Sequence, residues 1–308
     1  MRGFCILLAA CLCGCDPPAS SSETGSGLNI SQSAIPLEAT ELNGLTVLSA
    51  YELNADPAAF GGFSGLSIDG GSLVAVSDRG WWLDATVAST PSELTLTDVK
   101  MVQMEEAGQV LEKQGGDAEG LTRQDGAMLV SFERDHRIMT REGPARLGGT
   151  LQQRAFESFA TNKGLESLAT LPSGRLLAIG EQRKDNGFVV YVLGQKGIAE
   201  SGWLPPVTRH APTGADLGPD GKLYVVFRDY SPLFGVSIIV RRYGLDDSEL
   251  PDPATREDLA RFESETGIDN MEGISLWQDA SGATRLTLIS DDNFNALQRT
   301  ILVDMAVN

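Results

Sequence analysis

The chain has 308 residues, with 24 Lys and Arg against 42 Asp and Glu, and its formal net charge is −18. This acidity argues against a nucleic-acid-binding protein, because such proteins need a cationic face to displace the counterions of phosphates. The length allows one large domain or two smaller ones. Aromatic residues make up only 6% of the chain and glycine occurs 34 times, which favours turns and short strands over long helices.

The N-terminal segment has the form of an export signal. All four cysteines lie in its first fifteen residues: Cys5, Cys11, Cys13 and Cys15. Arg2 precedes an apolar run that is too short to span a bilayer, which takes about 20 residues. Residues 12–15, Leu-Cys-Gly-Cys, resemble the lipobox of bacterial lipoproteins. The resemblance implies a signal peptide over residues 1–14 and a lipid anchor on Cys15. An ordinary secretory signal or a short buried segment is the alternative.

The residues that follow bear on localisation. Acyl chains on Cys15 would hold the protein at a membrane, because each buried CH₂ contributes about 0.8 kcal/mol. Asp16 resembles the residue that retains some lipoproteins at the inner membrane, so we expect the periplasmic face of that membrane. Residues 15–40 begin with a Pro-, Ser- and Gly-rich stretch, which predicts a flexible tether with a reach of roughly 25–30 Å. The folded domain is then expected over residues 41–308.

A repeated pattern organises that domain. Each copy has a small or acidic residue, then Gly or Ser, then an apolar residue, a turn with Gly, an apolar strand and a charged residue. The copies begin at Ser64-Gly65-Leu66, Glu119-Gly120-Leu121, Glu166-Ser167-Leu168, Thr213-Gly214-Ala215 and Glu272-Gly273-Ile274. Their turn glycines are Gly71, Gly126, Gly174, Gly221 and Gly282, at spacings of 55, 48, 47 and 61 residues.

A period near 50 residues with hairpin strands in each copy is typical of a β-propeller. Five copies predict an all-β fold with a single propeller of five blades, and a degenerate sixth blade remains open. Residues 46–53 have no hairpin of their own, so we expect them to supply the outer strand of the last blade and close the ring. A β-sandwich or an irregular all-β domain is the alternative.

Residues 245–269 interrupt the pattern with nine acidic residues and two arginines. Thr255 and Asp258 precede Leu259 and Phe262, a spacing that resembles a capping box and predicts a short helix. A solvated loop with a distorted outer strand is the alternative.

Several short motifs resemble the phytase-like family of bacterial exported proteins, which is described as having esterase-like activity. They lie at residues 117–121, 131–134, 164–168, 212–215, 269–274 and 288–294. The resemblance keeps its order over about residues 60–307. It implies a hydrolase that acts on phosphate or other esters.

Equivalent positions of the copies should converge, because the first strand of each blade lines the channel of a propeller. The position that opens each copy, here the first slot, holds Ser64, Glu119, Glu166, Thr213 and Glu272. The charged position that ends the second strand, the second slot, holds Asp78, Glu133, Glu181, Arg228 and Asp291. Carboxylate and amide oxygens are the ligands that calcium prefers. The predicted metal ligands are Glu119, Glu166, Glu272, Asp291 and Asn270.

Arginines accompany the second slot. Arg79 and Arg134 directly follow its carboxylates, Arg183 lies two residues after one, and Arg228 occupies the slot itself. We expect Arg79, Arg134 and Arg228 to bind the anionic part of a small ester while calcium polarises it. A girdle of structural ion pairs and a metal site without catalysis are the alternatives.

Other catalytic chemistries have little support. His136 and His210 are the only histidines, and neither has a second His at metal-ligand spacing. The chain has no G-x-S-x-G elbow, phosphate loop or dinucleotide fingerprint. The sequence therefore predicts a monomeric, membrane-anchored propeller that hydrolyses esters with calcium and does not bind nucleic acid. The competing class is a non-catalytic propeller of the cell envelope that binds a ligand or a protein.

Overall fold

The computed structural model describes residues 27–141, 156, 159–231 and 235–308. The predicted signal peptide and Cys15 lie outside these residues. The described chain is built almost entirely of β-strands, with one short 3-10 helix at Ser264–Thr266. Among the described residues, no helix is long and apolar enough to cross a membrane.

The strands are β1 (Ile30–Ala34), β2 (Glu41–Leu42), β3 (Leu45–Ala55), β4 (Phe63–Asp69), β5 (Ser72–Ser77), β6 (Trp81–Thr90), β7 (Glu93–Gln103), β8 (Glu105–Glu106), β9 (Gln109–Val110), β10 (Ala118–Gln124), β11 (Ala127–Phe132), β12 (Arg137–Thr140), β13 (Leu165–Thr170), β14 (Leu176–Lys184), β15 (Gly187–Gly194), β16 (Gly197–Leu204), β17 (Ala211–Leu217), β18 (Leu223–Ser231), β19 (Gly235–Leu245), β20 (Pro251–Glu263), β21 (Met271–Gln278), β22 (Thr284–Ser290) and β23 (Ile301–Val307).

The strands form five antiparallel sheets, which are the blades of a propeller. Blade 1 is β4-β5-β6-β7, the described part of blade 2 is β10-β11-β12, and blade 3 is β13-β14-β15-β16. Blade 4 is β17-β18-β19-β20-β2, and blade 5 is β21-β22-β23 with β3 and β1 outside it. The hairpin β8-β9 lies between blades 1 and 2 in the chain. The five predicted repeats are therefore five blades, and the all-β propeller prediction is confirmed.

The repeat pattern forms the first hairpin of every blade. The five turn glycines all have positive φ, between +73° and +86°, a conformation that glycine adopts without steric cost. The apolar runs after the turns become the second strands, whose side chains are buried against neighbouring blades. The local signals of turn and strand thus agree with the tertiary packing.

The inner strands β4, β10, β13, β17 and β21 form a ring in this order, because each contacts its two neighbours. The third residue of each copy, the third slot, is apolar and buried: Leu66, Leu121, Leu168, Ala215 and Ile274. These side chains converge between the inner strands and narrow the channel there to a void of about 10 Å³. They separate an acidic end, which holds the first and second slots, from a turn end, which holds the hairpin glycines.

The ring closes between the two ends of the described chain, as predicted. Strand β3 pairs with β23 as the fourth strand of blade 5, with Ala50 opposite Val303. Leu45, Ala50 and Leu53 of β3 are buried.

The folded part begins earlier than the tether prediction placed it. Within residues 15–40, strand β1 pairs with β3, and Ile35 and Leu37 pack against the core between blades 4 and 5. Leu28 and Ile30, at alternating positions, provide the apolar face that this outer strand needs. Residues 15–26 of the predicted tether lie outside the described part.

The acidic segment forms β20, an outer strand that pairs with β19 with two shifts in register. The alternative of a distorted outer strand is therefore confirmed, and the predicted helix is wrong. Arg241 lies opposite Asp258 and Arg242 opposite Glu257, and both pairs form salt bridges. Thr255 accepts a hydrogen bond from Gly244 N at 2.7 Å instead of capping a helix. Cross-strand charge pairs and sheet hydrogen bonds therefore outweigh the local capping signal.

Candidate functional site

A β-bulge brings each first-slot residue to the channel. The register between the first two strands of every blade shifts at this residue: between Phe63 and Gly65, Ala118 and Leu121, Leu165 and Ser167, Pro212 and Gly214, and Met271 and Gly273. A bulge places two residues opposite one and changes the direction of a side chain. Because the same bulge occurs five times, the five first-slot side chains meet at the acidic end.

Two groups of three carboxylates lie at this end. Oxygens of Asp117, Glu119 and Glu133 lie within 4.8 Å of one another, and so do oxygens of Glu133, Glu166 and Glu181. Glu133 belongs to both groups, which we call the carboxylate triplets. Most of these side chains are buried.

The carboxylate triplets are electrostatically crowded. Burial raises the pKa of Glu119 well above its usual range, and the nearby charges of Glu166 and Glu272 raise it further. Burial and Asp117 raise the pKa of Glu133 to about 7. Burial, Glu181 and Glu272 likewise raise the pKa of Glu166. These carboxyl groups therefore favour either a proton or a cation.

Cations neutralise the outer member of each triplet. Arg134 donates a hydrogen bond to Asp117, and Lys163 Nζ lies 2.9 Å from Glu181 Oε1. Arg134 and Lys163 also lower the pKa of Glu133, and Arg228 lowers that of Glu166. Burial and the surrounding carboxylates raise the pKa of Glu119, which is therefore the most crowded member of the cluster.

Two of the other predicted ligands, Asn270 and Glu272, bind an arginine. Arg228 donates hydrogen bonds to Asn270 Oδ1 and Glu272 Oε1. Asn270 Nδ2 donates to Glu272 Oε1 at 3.1 Å and lies 3.5 Å from Asp291 Oδ2. Asp291 and Glu272 are buried, and burial raises the pKa of both. Arg228 therefore satisfies this side of the acidic end from within.

The three predicted anion-binding arginines have different environments. Arg134 and Arg228 form salt bridges with Asp117 and Glu272. Arg79 forms no salt bridge within the described ranges, and its guanidinium carbon lies 3.2 Å from the centroid of the Phe294 ring. Phe294 has a φ of +48°, a strained conformation for a bulky residue. Arg79 is thus the cation left to meet an anion from solvent.

Asp78, next to Arg79, is a further candidate. Its Oδ1 is buried and has no hydrogen-bond partner in the described structure. Burial raises the pKa of Asp78 to about 6, with Lys113 acting in the opposite direction.

The structure adds three carboxylates to those predicted as ligands. Glu133 and Glu181 occupy the second slot, so the repeat already contained their signal. Asp117 lies two residues before the first slot, and its carbonyl accepts the hydrogen bond of Glu133 N at 2.9 Å. Asn270 has the same place in blade 5, where its carbonyl accepts from Asp291 N. Because Asn270 was predicted as a ligand, the equivalent position of Asp117 in blade 2 could have identified Asp117 from the sequence.

The fold and this end of the channel define a five-bladed β-propeller with a carboxylate-rich mouth. A family model with the description "Phytase-like: Esterase-like activity of phytase" matches residues 58–294, and the chain belongs to this family. No curated protein gives a significant match.

Solved structures that resemble the chain share little sequence with it. They include a luciferin-regenerating enzyme, at 13% identity and a TM-score of 0.43, over 80% of this chain and 93% of that one. A gluconolactonase from Xanthomonas campestris has 13% identity and a TM-score of 0.43, over 84% and 79%. A bifunctional GH43-CE protein from Bacteroides eggerthii has 13% identity and a TM-score of 0.47, over 80% and 33%.

Proposed function

We propose that the acidic end of the channel is a calcium-dependent hydrolase site for phosphate or other anionic esters. We further propose that the protein is a lipoprotein that Cys15 anchors at the periplasmic face of a membrane. The observation that carries the hydrolase proposal is the pair of carboxylate triplets, which share Glu133.

The carboxylate triplets fit calcium in size and in charge. Calcium binds oxygen ligands at about 2.3–2.6 Å, so ligands on opposite sides of one ion are about 4.6–5.2 Å apart. The oxygens of each triplet lie within 4.8 Å of one another. The raised pKa of Glu119 reflects burial first and then the charges of neighbouring carboxylates, which a divalent ion would offset. Asp117, Glu119 and Glu133 would hold one ion, and Glu166 and Glu181 with Glu133 are the second candidate set.

Calcium, when bound, would supply the polarisation of the phosphoryl or carbonyl oxygen. The remaining roles fall to side chains of the channel mouth. Arg79 would bind the anionic group of the substrate, and stacking on Phe294 holds its guanidinium in place. Asp78, whose pKa burial raises to about 6, is the candidate proton donor to the leaving oxygen. The buried third-slot side chains narrow the channel below the site.

A structural girdle with no substrate is the competing proposal. The salt bridges of Arg134 with Asp117, Arg228 with Glu272, and Lys163 with Glu181 support it. A girdle would need no calcium, because its charges are balanced by side chains. Calcium binding at Glu119 and Glu133 therefore distinguishes the two proposals.

The test measures calcium binding by calorimetry and the hydrolysis of an aryl phosphate, phytate and an aryl acetate, with and without chelator. We expect Glu133→Gln to weaken calcium binding at least tenfold and to abolish hydrolysis. Arg79→Gln should raise KM and leave calcium binding unchanged. Glu200→Gln, which removes an exposed carboxylate from β16, is the matched control. The hydrolase proposal is wrong if the protein binds no calcium and leaves all three esters intact.

A further inference from the structure

The turn end of the channel contains a second, larger cavity. Its volume is about 510 Å³, which lies within the usual range of small-molecule sites. Leu66 and Leu121 of the third slot line it, and the following residues of the inner strands form its walls. Because third-slot side chains also line the narrow void below the first slot, this cavity is separate from the acidic end.

Asp216 of β17 lies in the wall of this cavity. Its Oδ1 accepts a hydrogen bond from Leu217 N at 2.8 Å, and its Oδ2 accepts one from Leu276 N at 2.7 Å. Within the described ranges it forms no salt bridge, and burial raises its pKa to about 7. Asp216 is half-buried in the cavity wall. It therefore has two backbone hydrogen bonds but no cationic partner in the described structure, and its carboxylate can accept a cation from a ligand.

Arg123 of β10 also lines the cavity, and its salt bridge, with Asp69 of the same wall, is long. Its Nε is buried and has no hydrogen-bond acceptor within the described residues. The Oδ2 of Asp69 is 3.7 Å from this nitrogen, which is too far for a hydrogen bond. The side chain of Asp69 is 68% exposed, so it is free to turn towards solvent. Arg123 can therefore accept a carboxylate from a ligand.

The two charges line different sides of the cavity. Strand β13 lies between β10 and β17 in the ring, so Arg123 and Asp216 are on strands that are not neighbours. Thr122 and Thr170, whose hydroxyl oxygens are 3.2 Å apart, lie along the wall between them. The cavity thus offers a cationic donor and an anionic acceptor that line one space open to solvent.

We propose that this cavity binds a small zwitterion of the amino-acid or short-peptide class, with its carboxylate on Arg123 and its ammonium on Asp216. The ligand ammonium would meet a carboxylate that has no salt bridge in the described structure, and the ligand carboxylate would replace the distant Asp69 at Arg123. The hydroxyl groups of the wall supply further polar contacts. The proposal does not depend on hydrolysis or calcium at the acidic end.

The test titrates the full-length protein with alanyl-alanine by calorimetry, beside N-acetyl-alanyl-alanine, alanyl-alanine amide and a panel of free amino acids. The acetyl form lacks the ammonium and the amide form lacks the carboxylate. We expect one zwitterion per chain, and at least tenfold weaker binding of each capped form. The panel distinguishes an amino-acid ligand from a peptide.

Two variants locate the charges. Arg123→Gln should weaken the zwitterion at least tenfold but leave the affinity for the amide form unchanged, since that form has no carboxylate. Asp216→Asn should weaken binding of the zwitterion at least tenfold but leave the affinity for the acetyl form unchanged, since that form has no ammonium. If Asp216→Asn does not fold, the affinities of Arg123→Gln for the zwitterion and for the amide form still test the proposal. Glu133→Gln should leave zwitterion binding intact, which separates this test from the calcium proposal.

Three results would overturn the proposal. The first is the absence of binding by every probe at about 10 mM. The second is equal binding of the zwitterion and both capped forms. The third is binding that Glu133→Gln abolishes and Arg123→Gln leaves unchanged, since that would place the ligand at the acidic end.

Discussion

Asp216 combines a raised pKa of about 7 with two backbone hydrogen bonds and no salt bridge within the described ranges. The folded protein therefore binds a proton at Asp216 more tightly than the unfolded chain does. Stability from this group is fully present below the unfolded pKa of 3.8 and is lost as the pH rises through about 7. Asp216 should make the folded protein less stable at pH 8 than at pH 5.

Asp216→Asn should remove this dependence, because the amide cannot ionise. The Tm of the variant minus the Tm of the native protein should increase by about 5 °C between pH 5 and pH 8. Thermal melts of both proteins across this range measure the difference in Tm. The carboxyl groups of the acidic end titrate in both proteins, so their effect cancels from this difference. A constant difference would mean that Asp216 is already ionised at pH 5.

Glu119 provides a second test at the same scale, because the largest electrostatic influences on it are all negative. Without calcium, Glu119→Gln should raise the Tm by about 2 °C, since the amide needs neither a proton nor a cation when it is buried beside Glu166 and Glu272. Addition of calcium should raise the Tm of this variant less than it raises the Tm of the native protein. Melts in chelator and in calcium, with Glu200→Gln as the control, measure both effects. A lower Tm of Glu119→Gln in chelator would show that the charge of Glu119 is already compensated.

At the scale of the strands, the first-slot bulges require close approach between inner strands. A Cβ added to Gly214 would lie 2.1 Å from the carbonyl oxygen of Glu272 on the next blade. Backbone cannot yield as a flexible side chain can, so Gly214→Ala should destabilise the fold by about 3 kcal/mol. It should also shift Glu272 and weaken its salt bridge with Arg228.

Gly126→Ala is the matched control for this prediction. Gly126 has a φ of +86°, but nothing lies within 4 Å of an added Cβ. The cost is then only that of the left-handed backbone, about 1 kcal/mol. Denaturant unfolding of both variants measures the loss in the free energy of unfolding. Equal losses would mean that the inner strands can move apart at little cost to accommodate the added methyl group.

The repeat made the five hairpins predictable, because turn glycines, apolar runs and slot positions are local features that recur in register. It also placed Glu119 and Glu166 at one end of the channel. The bulges could not be predicted, since they arise only when two strands pair, and they decide which side chains face the channel. The helix predicted near Thr255 failed for the related reason that the pairing of β20 with β19 is a long-range interaction.

The partners of the charged residues were the least predictable feature of the site. Arg228 and Arg134 occupy repeat positions like that of Arg79, or adjacent to it, yet they form salt bridges with Glu272 and Asp117. Arg228 reaches Glu272 on the next blade, and the sequence of one repeat does not contain the distance between blades.

At the scale of the whole molecule, the propeller depends on a strand from the opposite end of the described chain. Strand β3 completes blade 5, and its Leu45 and Ala50 belong to the core between blades 4 and 5. Strand β1 lies outside β3 and pairs with it alone. The two strands should therefore contribute very differently to the closure of the ring.

Removal of residues 1–34 should leave a ring that still unfolds cooperatively, with a lower Tm, because β3 remains paired with β23. Removal of residues 1–56 should expose β23 as an edge strand and open the core between blades 4 and 5, so that cooperative unfolding is lost and aggregation follows. Calorimetry and size-exclusion chromatography of the two truncated chains measure these outcomes. If the shorter chain also unfolds cooperatively as a monomer, four strands are not needed in blade 5. The closure of the ring would then rest on contacts among the inner strands.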